Sequence, residues 1–528
     1  MTWDVPSELS ASEKRLVERL GRGGKFFRFL REIRDRLFDA DFQAELSSAY
    51  SRPGGDKSLP PALLAMVTLL QAYGQTSDFD AVEEAAIDPR WQLVLGCLGA
   101  ERAPFSQGVL SQFRDRMIEH NLDKKLLART VQLAKETGEF GWQKLKFALD
   151  SSPLLGAGRV EDTLNLIGRA LSTVVDCAAK CLGVERERIL KEAKLTLLSG
   201  SSLKASLDIN WDDPDEKAQA VRRLLAEVDS MQRWVASHAA EEAKKPPLRE
   251  ALAALRRVVE QDIDPDPEGG GPRIRRGVAK DRMPSLGDKE MRHGRKSKSK
   301  LFNGYKRHIS IAVGTGPIIV AAAVTPANHP EHEATGALLD ESEQHGQTST
   351  ALVDRGYLAS PRLELLRSQG KEVLCKPWPS RNGGRFTKED FAIDLKAHQL
   401  TCPAGAIAVI HADSLLARFP AATCDACPQR AACTDARLGR GRTVTIHPQE
   451  EFLLELRSLR KTSDGRRALR DRVHVEHGLA KVSAIQGNRA RFKGTRRNEL
   501  DLRRCSAVVN LQTIARFLAP SRELRKAA

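Results

Sequence analysis

The chain has 528 residues, which at about 100 to 200 residues per domain is enough for several structural units with sizeable cores. Its 84 lysines and arginines exceed its 69 aspartates and glutamates and give a net charge of +15, which favours a polyanionic partner or the inner membrane surface and disfavours a phosphohydrolase of small molecules. No signal-peptide pattern is present, and the most apolar run, near Pro317, is far shorter than the roughly 20 residues of a membrane span, so we expect a soluble cytoplasmic protein.

The first 140 residues are predicted to form a helical domain. Apolar residues recur at helical spacing in "FFRFLREIRDRLF", and the polar gap "SRPGGDKS" separates this segment from a run of short helices. The segment from Gln107 to His120 follows Ser106, a suitable N-cap, and is the candidate recognition helix of a helix-turn-helix. On this pattern alone, a plain helical packing domain is an equal alternative.

A strand ending in a carboxylate is predicted next. In "WQKLKFALDSSPLLG", apolar residues alternate into Asp150. Long charged helices then follow from about Val160 to Val259, and we interpret them as a helical insertion. Within it, Cys177 and Cys181 lie one turn apart on an apolar face, which indicates buried small residues rather than metal ligands.

The chain then returns to strands. A basic tract, "RHGRKSKSKLFNGYKRH", leads into two β-branched runs separated by 314–316, which predicts a hairpin. The strand "STALVDRGY" stops abruptly at Asp354, whose carboxylate could cap a helix, pair with a cation, sit in an ordinary turn or bind a metal. The order strand, hairpin, helix, strand, helix, strand predicts an α/β mixed sheet of the RNase H-like kind.

The carboxylates in these strands predict a metal site. In an RNase H-like sheet the first and fourth strands are neighbours, so Asp150 and Asp354 would lie side by side, and two such carboxylates stay ionised only with cations between them. Glu476, in "DRVHVEHGLAKVSAIQG", offers a third acid from a helix. Two Mg²⁺ (or Mn²⁺) ions in one site suit phosphodiester chemistry.

A second group of candidate ligands is formed by clustered cysteines. The segments "LTCPAGAIAV" and "TCDACPQRAACT" contain Cys402, Cys424, Cys427 and Cys433. Four thiolates in tetrahedral geometry suit structural Zn²⁺. An iron-sulfur cluster and reduced, unliganded cysteines remain open alternatives.

The motifs "FALDSSPL", "GYKRHISIAV", "VTPANHPEHEA", "TALVDRGY" and "RVHVEHGLAKV" resemble bacterial insertion-sequence transposases of the DDE class. The resemblance is to the IS-four/IS-five-like lineage, the branch with a four-cysteine insertion, and it spans most of the chain apart from the helical insertion. It implies that Asp150, Asp354 and Glu476 are the metal-binding triad. It also implies a phosphate contact for Arg472, one turn before the glutamate.

Two positions depart from the lineage. Leu469 stands where a tyrosine is frequent, and Ser483 stands where a lysine is frequent, with Lys481 as the nearest candidate. These positions bear on how a DNA end is held. The full set of expected DNA contacts is Arg472, Lys481, Lys306, Tyr305, Arg489, Arg491, Lys493, Arg496 and Arg497.

The predicted organisation follows from these segments. We expect a helical DNA-binding domain at 1–140, an RNase H-like catalytic core at 141–158, 296–378 and 448–528, a helical insertion and basic linker at 159–295, and a cysteine-rich, zinc-binding insertion at 379–447. The predicted activity is Mg²⁺-dependent DNA strand cleavage and strand transfer. The predicted partners are double-stranded DNA, as transposon ends and target, and a second copy of the chain, with association to the bacterial nucleoid. A structure-specific nuclease and a catalytically silent DNA-binding derivative are the alternatives.

Overall fold

The computed structural model describes residues 2–50, 59–137, 145–200, 202–265, 269, 271–297, 299–314 and 316–518. The predicted polar gap at 51–58, the domain boundary at residue 140 and the middle of the predicted hairpin turn lie outside these residues. The chain divides into a first compact unit of Met1–Leu145, Leu149–Gln347 and His474–Ala528, and a second of Lys146–Ala148 and Thr348–Val473. No helix in the described ranges combines the length and apolarity needed to cross a bilayer.

The amino-terminal part of the first unit is helical, as predicted. Its helices are α1 (Ala11–Arg19), α2 (Lys25–Leu37), α3 (Ala40–Ser48), α4 (Pro61–Gly74), α5 (Asp78–Ile87), α6 (Pro89–Leu95), α7 (Gln107–Glu119) and α8 (Leu122–Glu136). The predicted cap is present, because the Val109 amide donates to Ser106 Oγ at 3.4 Å.

A core of its own holds the predicted insertion together. Its helices are α9 (Thr163–Leu182), α10 (Arg186–Glu192), α11 (Leu203–Leu207), α12 (Pro214–His238) and α13 (Leu248–Asp262). The short strands β2 (Ile263–Asp264) and β3 (Arg273–Ile274) pair behind α13. The prediction of two buried cysteines is wrong for Cys181, which is exposed at the last turn of α9, whereas Cys177 packs against the core.

One six-stranded sheet of mixed direction carries the candidate residues. Its strands are β1 (Leu145–Leu155), β4 (Arg292–Arg295), β5 (Leu301–Val313), β6 (Ile318–Pro326), β7 (Thr348–Val353) and β8 (Glu372–Cys375), accompanied by helices α14 (Thr335–Glu343) and α15 (Pro361–Ser368). The strand order is β4-β5-β1-β7-β8, with β6 also paired to β5. The β5 and β6 strands are antiparallel, and β7 and β8 are parallel.

Two details of this sheet differ from the prediction. Part of the expected basic linker forms β4, which pairs with the start of β5, because the main-chain groups there complete a ladder whatever the side-chain charge. Asp150 is not at the end of its strand, since β1 continues for five residues to Leu155. That extension is stabilised by main-chain hydrogen bonds, in which the Leu155 amide donates to Asn488 O at 2.9 Å and the Gly156 amide to Asn303 O at 2.9 Å.

The first unit ends with two helices, α20 (Val473–Gln486) and α21 (Thr495–Leu518). The middle of α21 is buried on all sides and packs against β6, α8 and α4. Asn510 holds it in place, because its amide donates to Thr130 Oγ1 at 2.9 Å and to Ile319 O at 2.8 Å, and its oxygen accepts from the Ile319 amide. A segment with this much basic character is therefore also part of the core.

The second unit contains β7, β8, α15 and a separate small sheet of order β13-β12-β11-β10-β9. The small sheet consists of β9 (Ala392–Asp394), β10 (Gln399–Thr401), β11 (Ile407–His411), β12 (Leu416–Arg418) and β13 (Thr443–Thr445). Together with α16 (Ala421–Asp425) and α17 (Arg430–Cys433) it forms what we call the cysteine module. Helices α18 (Glu450–Lys461) and α19 (Ser463–Arg470) follow it.

Candidate functional site

A buried arginine joins the strand that carries Asp150 to the helix that carries Glu476. Arg307 lies in β5 and is 1% exposed. Its guanidinium donates to Ser152 Oγ at 2.8 Å and Pro153 O at 3.3 Å in β1. It also donates to Gln486 Oε1 at 3.0 Å and Gly487 O at 2.9 Å, at the end of α20. One planar group with five donors therefore fixes β1 and α20 relative to each other.

Burial of the charged guanidinium costs free energy, because the group loses its contact with water. Burial lowers the pKa of Arg307 to about 10, and the carboxylate of Asp501 partly opposes that shift. Gln486 extends the network, because its amide donates to Asp501 Oδ2 at 3.1 Å, and Arg504 donates to Asp501 Oδ1 at 2.8 Å. The charge is thus tolerated because hydrogen-bonding groups surround it.

The α20 helix covers the same face of β5 as the arginine. Because successive side chains of a strand point to opposite faces, Arg307, Ile309 and Ile311 share one face. A Cβ on Gly478 of α20 would collide with Ile311 Cδ1 and lie 3.3 Å from Ile309 Cδ1. The glycine therefore lets α20 approach this face closely.

The same alternation assigns a face to Asp150. Ser152 accepts from Arg307, so its side chain points to the α20 side, and Asp150 is two residues earlier on β1. Asp150 Oδ1 accepts from the Ser151 amide at 2.8 Å. Glu476 lies in the first turn of α20 and is exposed. Within the first unit, Asp150 and the helix that carries Glu476 are on the same side of the sheet.

The opposite face has different partners. Ser151 Oγ donates to Glu331 Oε1 at 2.5 Å, and Lys306 Nζ donates to His329 O at 2.8 Å. Both contacts reach the segment between β6 and α14. Burial lowers the pKa of Lys306, and the nearby carboxylates Glu331 and Glu333 oppose this shift. These contacts independently support the assignment of the two faces.

In the second unit, Asp354 follows β7 directly, as predicted. Its Oδ1 accepts from the Arg355 amide at 2.8 Å and caps a short 3-10 turn, Arg355–Tyr357. The side chain is 41% exposed and lies 3.9 Å from Arg355 Nε. The cap, the ion pair and the turn are therefore all present, and none of them prevents the accessible carboxylate from meeting a metal ion.

Arg472 and Asp354 share a neighbour. Burial raises the pKa of the Cys375 thiol, at the end of β8, to about 12, with Asp354 adding to the rise and Arg355 and Arg472 opposing it. Next to Arg472, Asp471 accepts from Lys146 Nζ at 2.8 Å. Arg472 and Asp354 therefore act in opposite directions on the pKa of the same thiol.

The donor chemistry of the predicted triad suits Mg²⁺, because carboxylate oxygens are its preferred protein ligands. Nevertheless, across the described ranges no three His, Cys, Asp or Glu side chains are grouped closely enough to hold a metal ion. Asp150, Asp354 and Glu476 are thus chemically suitable, and their convergence on one ion is a proposal.

The four clustered cysteines line one pocket of the cysteine module, together with Phe419, Arg430 and Arg442. The Arg442 amide donates to Cys424 Sγ at 3.4 Å. Burial raises the pKa of the Cys433 thiol, which Arg442 opposes and the other three cysteines increase. Thiolates are the ligands that structural Zn²⁺ prefers, but among the described residues no three of these cysteines are grouped closely enough to hold an ion, so a zinc site here is a proposal.

Several side chains that were predicted to contact DNA instead bind other residues of the protein. Tyr305 is buried, its hydroxyl donates to Asp288 Oδ1 at 2.5 Å, and burial raises its pKa, so the prediction of a DNA contact for it does not fit the structure. Arg496 pairs with Asp123 at 2.6 Å. Arg491 is half-buried and donates to Thr76 O.

The remaining predicted contacts are more accessible to different degrees. Arg489 and Lys493 are exposed, and Arg497 is 58% exposed while pairing with Asp115 at 3.0 Å. Lys481 is half-buried, and burial lowers its pKa. The exposed Arg489, Lys493 and Arg497 are therefore better candidates for phosphate contact than the buried residues.

The candidate recognition helix has an unexpected surface. The exposed face of α7 includes Asp115 and Glu119, whereas Arg114 donates to both oxygens of Asp78 and Arg116 lies over the Tyr50 ring. Both arginines of α7 therefore bind other side chains of the protein. The charge of α7 gives no support to its role as a recognition helix.

Arg307 was not among the site residues predicted from the sequence, although it lies in the motif "GYKRHISIAV". The available signal was its position two residues before Ile309 and four before Ile311, on the apolar face of a predicted strand. A charged residue there must be buried among hydrogen-bond acceptors.

Comparison with protein families gives two matches. A family described as a transposase DDE domain matches residues 401–515, a range that includes Glu476 and the four clustered cysteines but neither Asp150 nor Asp354. A family described as a transposase domain (DUF772) matches residues 16–116. No curated protein and no solved structure matches the chain. The two matches support a DDE transposase family.

We expect Arg307→Met to destabilise the first unit, because it leaves four acceptors, in β1 and at the end of α20, without their donor. The free energy of unfolding should fall by about 2 to 4 kcal/mol, and the melting temperature should fall with it. Arg307→Lys should lose less stability, since lysine keeps the charge and part of the hydrogen bonding. Hydrogen exchange should accelerate at the end of α20.

The matched control is Arg28→Met, which removes an arginine that is 57% exposed. It should leave the melting temperature and the exchange pattern unchanged. Equal stability of the Arg307 and Arg28 variants would show that the buried arginine does not join β1 to α20.

Proposed function

We propose that the protein is a DDE transposase that binds the terminal inverted repeats of an insertion sequence and catalyses Mg²⁺-dependent strand cleavage and strand transfer. The observation that carries the proposal is the arrangement in the first unit, where Asp150 and α20 share one side of the sheet. The two transposase family matches agree with it. The chain would then be a nucleotidyl-transferring enzyme.

An RNase H-like core is part of this proposal. In that fold the first and fourth strands along the core are neighbours. Here β1 lies next to β7 in the strand order, and part of β1 belongs to the second unit together with β7. The antiparallel β5 and β6 pair and the parallel β7 and β8 pair support the same assignment. We assign 1–140 to DNA binding and 379–447 to a cysteine-rich insertion.

The proposed triad is Asp150, Asp354 and Glu476. When bound, two Mg²⁺ ions supply an activated nucleophile on one side of the phosphate and stabilise the leaving oxygen on the other. The carboxylates would hold the ions, and Arg472 would neutralise charge on the phosphate. Arg307 would act indirectly, by keeping the Asp150 strand and the Glu476 helix in a fixed relation.

The proposed partner is double-stranded DNA, both as transposon ends and as target, bound by a homodimer of the chain in the bacterial cytoplasm and nucleoid. The net charge of +15 supports such a partner. Arg489, Lys493 and Arg497 would contact phosphates, because their side chains are exposed. Affinity should therefore fall steeply as salt increases.

We further propose that the four clustered cysteines hold a structural Zn²⁺. The shared pocket and the mutual influence of the thiols support this assignment. Such an ion would join the turn after β10 to α16 and α17, which are too short to be stable alone.

Neutralising the triad tests the proposed active site. We expect Asp150→Asn, Asp354→Asn and Glu476→Gln each to reduce Mg²⁺-dependent cleavage of duplexes carrying the terminal repeat by about a thousandfold. Thermal melting should show that the variants are folded. The control is Asp464→Asn, at a side chain that is 82% exposed, which should cleave at the wild-type rate. Wild-type cleavage by any triad variant would remove that residue from the site.

Metal analysis tests the zinc proposal. Protein purified under reducing conditions should contain about one zinc per chain, because four thiolates complete one tetrahedral site. Cys427→Ser should lose the zinc and melt at a lower temperature, whereas the exposed Cys181→Ser should retain it. Iron in place of zinc, or full zinc content in Cys427→Ser, would contradict the proposal.

A further inference from the structure

A short turn in the cysteine module exposes an apolar side chain between arginines. The 436–442 turn, with sequence "ARLGRGR", connects α17 to β13. Leu438 is 77% exposed, which is the largest exposure among the large apolar side chains described. Arg437 and Arg440 are exposed on either side of it. The turn therefore combines one apolar tip with two cationic groups.

The main chain of this turn is held by hydrogen bonds. Arg430 Nη2 donates to Ala436 O at 2.8 Å and to Arg437 O at 3.1 Å, and the Gly439 amide donates to Asp425 Oδ2 at 2.8 Å. Asp425 and Arg430 also pair with each other at 3.0 Å. Because both belong to the segment that contains the cysteines, the turn is fixed to the most constrained part of the module.

Two glycines allow the turn to keep this shape. Gly439 has a φ of 81°, in the left-handed region that disfavours side chains. A Cβ on Gly441 would collide with Phe419 O. The shape is therefore determined by the local sequence, and Leu438 is presented at the surface by a defined turn.

Two arginines of this turn, Arg437 and Arg440, keep their charges unpaired among the residues that the structure describes. The neighbouring carboxylates have other partners, since Asp425 pairs with Arg430 and Asp435 lies 3.4 Å from Arg385. No ion pair forms at Arg437 or Arg440 with any described residue. A single exposed leucine is common on protein surfaces, but here it accompanies two available cations on an anchored turn.

We propose that the 436–442 turn is a DNA-binding element, in which Arg437 and Arg440 contact backbone phosphates and Leu438 wedges between base pairs from the minor groove. Guanidinium groups suit phosphates, and apolar side chains inserted at a base step unstack it and bend the duplex. The choice of DNA as the partner rests on the proposed function. The assignment adds a DNA contact in a segment for which the sequence predicted none.

The arginines are tested by the salt dependence of binding. The full-length protein is titrated, in Ca²⁺ to prevent cleavage, onto a short fluorescein-labelled duplex of scrambled sequence. We expect Arg437→Ala/Arg440→Ala to bind more weakly and to reduce the slope of log K against log salt by about 2, one for each lost phosphate contact. Arg418→Ala, at an exposed arginine on β12, is the control and should keep the wild-type slope.

The wedge is tested by bending of the same duplex, measured by energy transfer between labels at its two ends. Wild-type protein should increase the transfer. Leu438→Ala should lower the affinity by about tenfold with an unchanged salt slope, and should leave the transfer near that of free DNA at saturation. Ile407→Ala, which removes an exposed apolar side chain of β11, should bind and bend DNA as the wild type does.

The outcomes separate this inference from the proposed function. If wild-type protein binds the duplex and both turn variants match it in affinity, salt slope and bending, the turn is not a DNA contact and the transposase proposal is unaffected. If the variants instead dissociate a dimer in sedimentation without a change in DNA binding, the turn is a protein contact and the inference is wrong. Failure of the wild type to bind any duplex at low salt would contradict both.

Discussion

The candidate site depends on the hydrogen bonds of one buried guanidinium, that of Arg307. A cation removed from water is stable only if its donors meet acceptors in fixed positions, and those acceptors belong to β1 and to the end of α20. Any relative shift of the strand and the helix would leave the charge uncompensated. The arginine therefore keeps Asp150 and the Glu476 helix on the same side of the sheet without touching either acid.

The basic charge of the chain is divided between two uses. Arg503 and Arg504 of α21 are buried and pair with Asp123, Glu341 and Asp501. These arginines stabilise the interior and are not available to DNA. Net charge alone predicts the class of partner but does not separate structural arginines from those that can bind phosphate, because that distinction depends on tertiary contacts.

Local patterns predicted the elements well and the ends of elements less well. Asp354 follows β7 as expected, because the change from apolar to charged residues coincides with the end of the strand. Asp150 was placed at a strand end incorrectly, since β1 is extended by pairing with Asn488 and Arg489, more than 300 residues later in the chain. The DNA contact predicted for Tyr305 does not fit the structure either, because its hydroxyl donates to Asp288, which lies outside the strand and 17 residues earlier. Long-range contacts of this kind leave no local signal.

Strand transfer separates the proposed transposase from a nuclease on the same fold, which would cleave DNA without joining it to a target. The most direct measurement is a strand-transfer assay with purified protein, Mg²⁺ and a supercoiled target plasmid. The donor is a labelled, pre-cleaved duplex that carries the terminal repeat found beside the gene for this protein. We expect the labelled 3′ end to become covalently joined to the plasmid. Cleavage of the duplex or nicking of the plasmid without any joined product would contradict it.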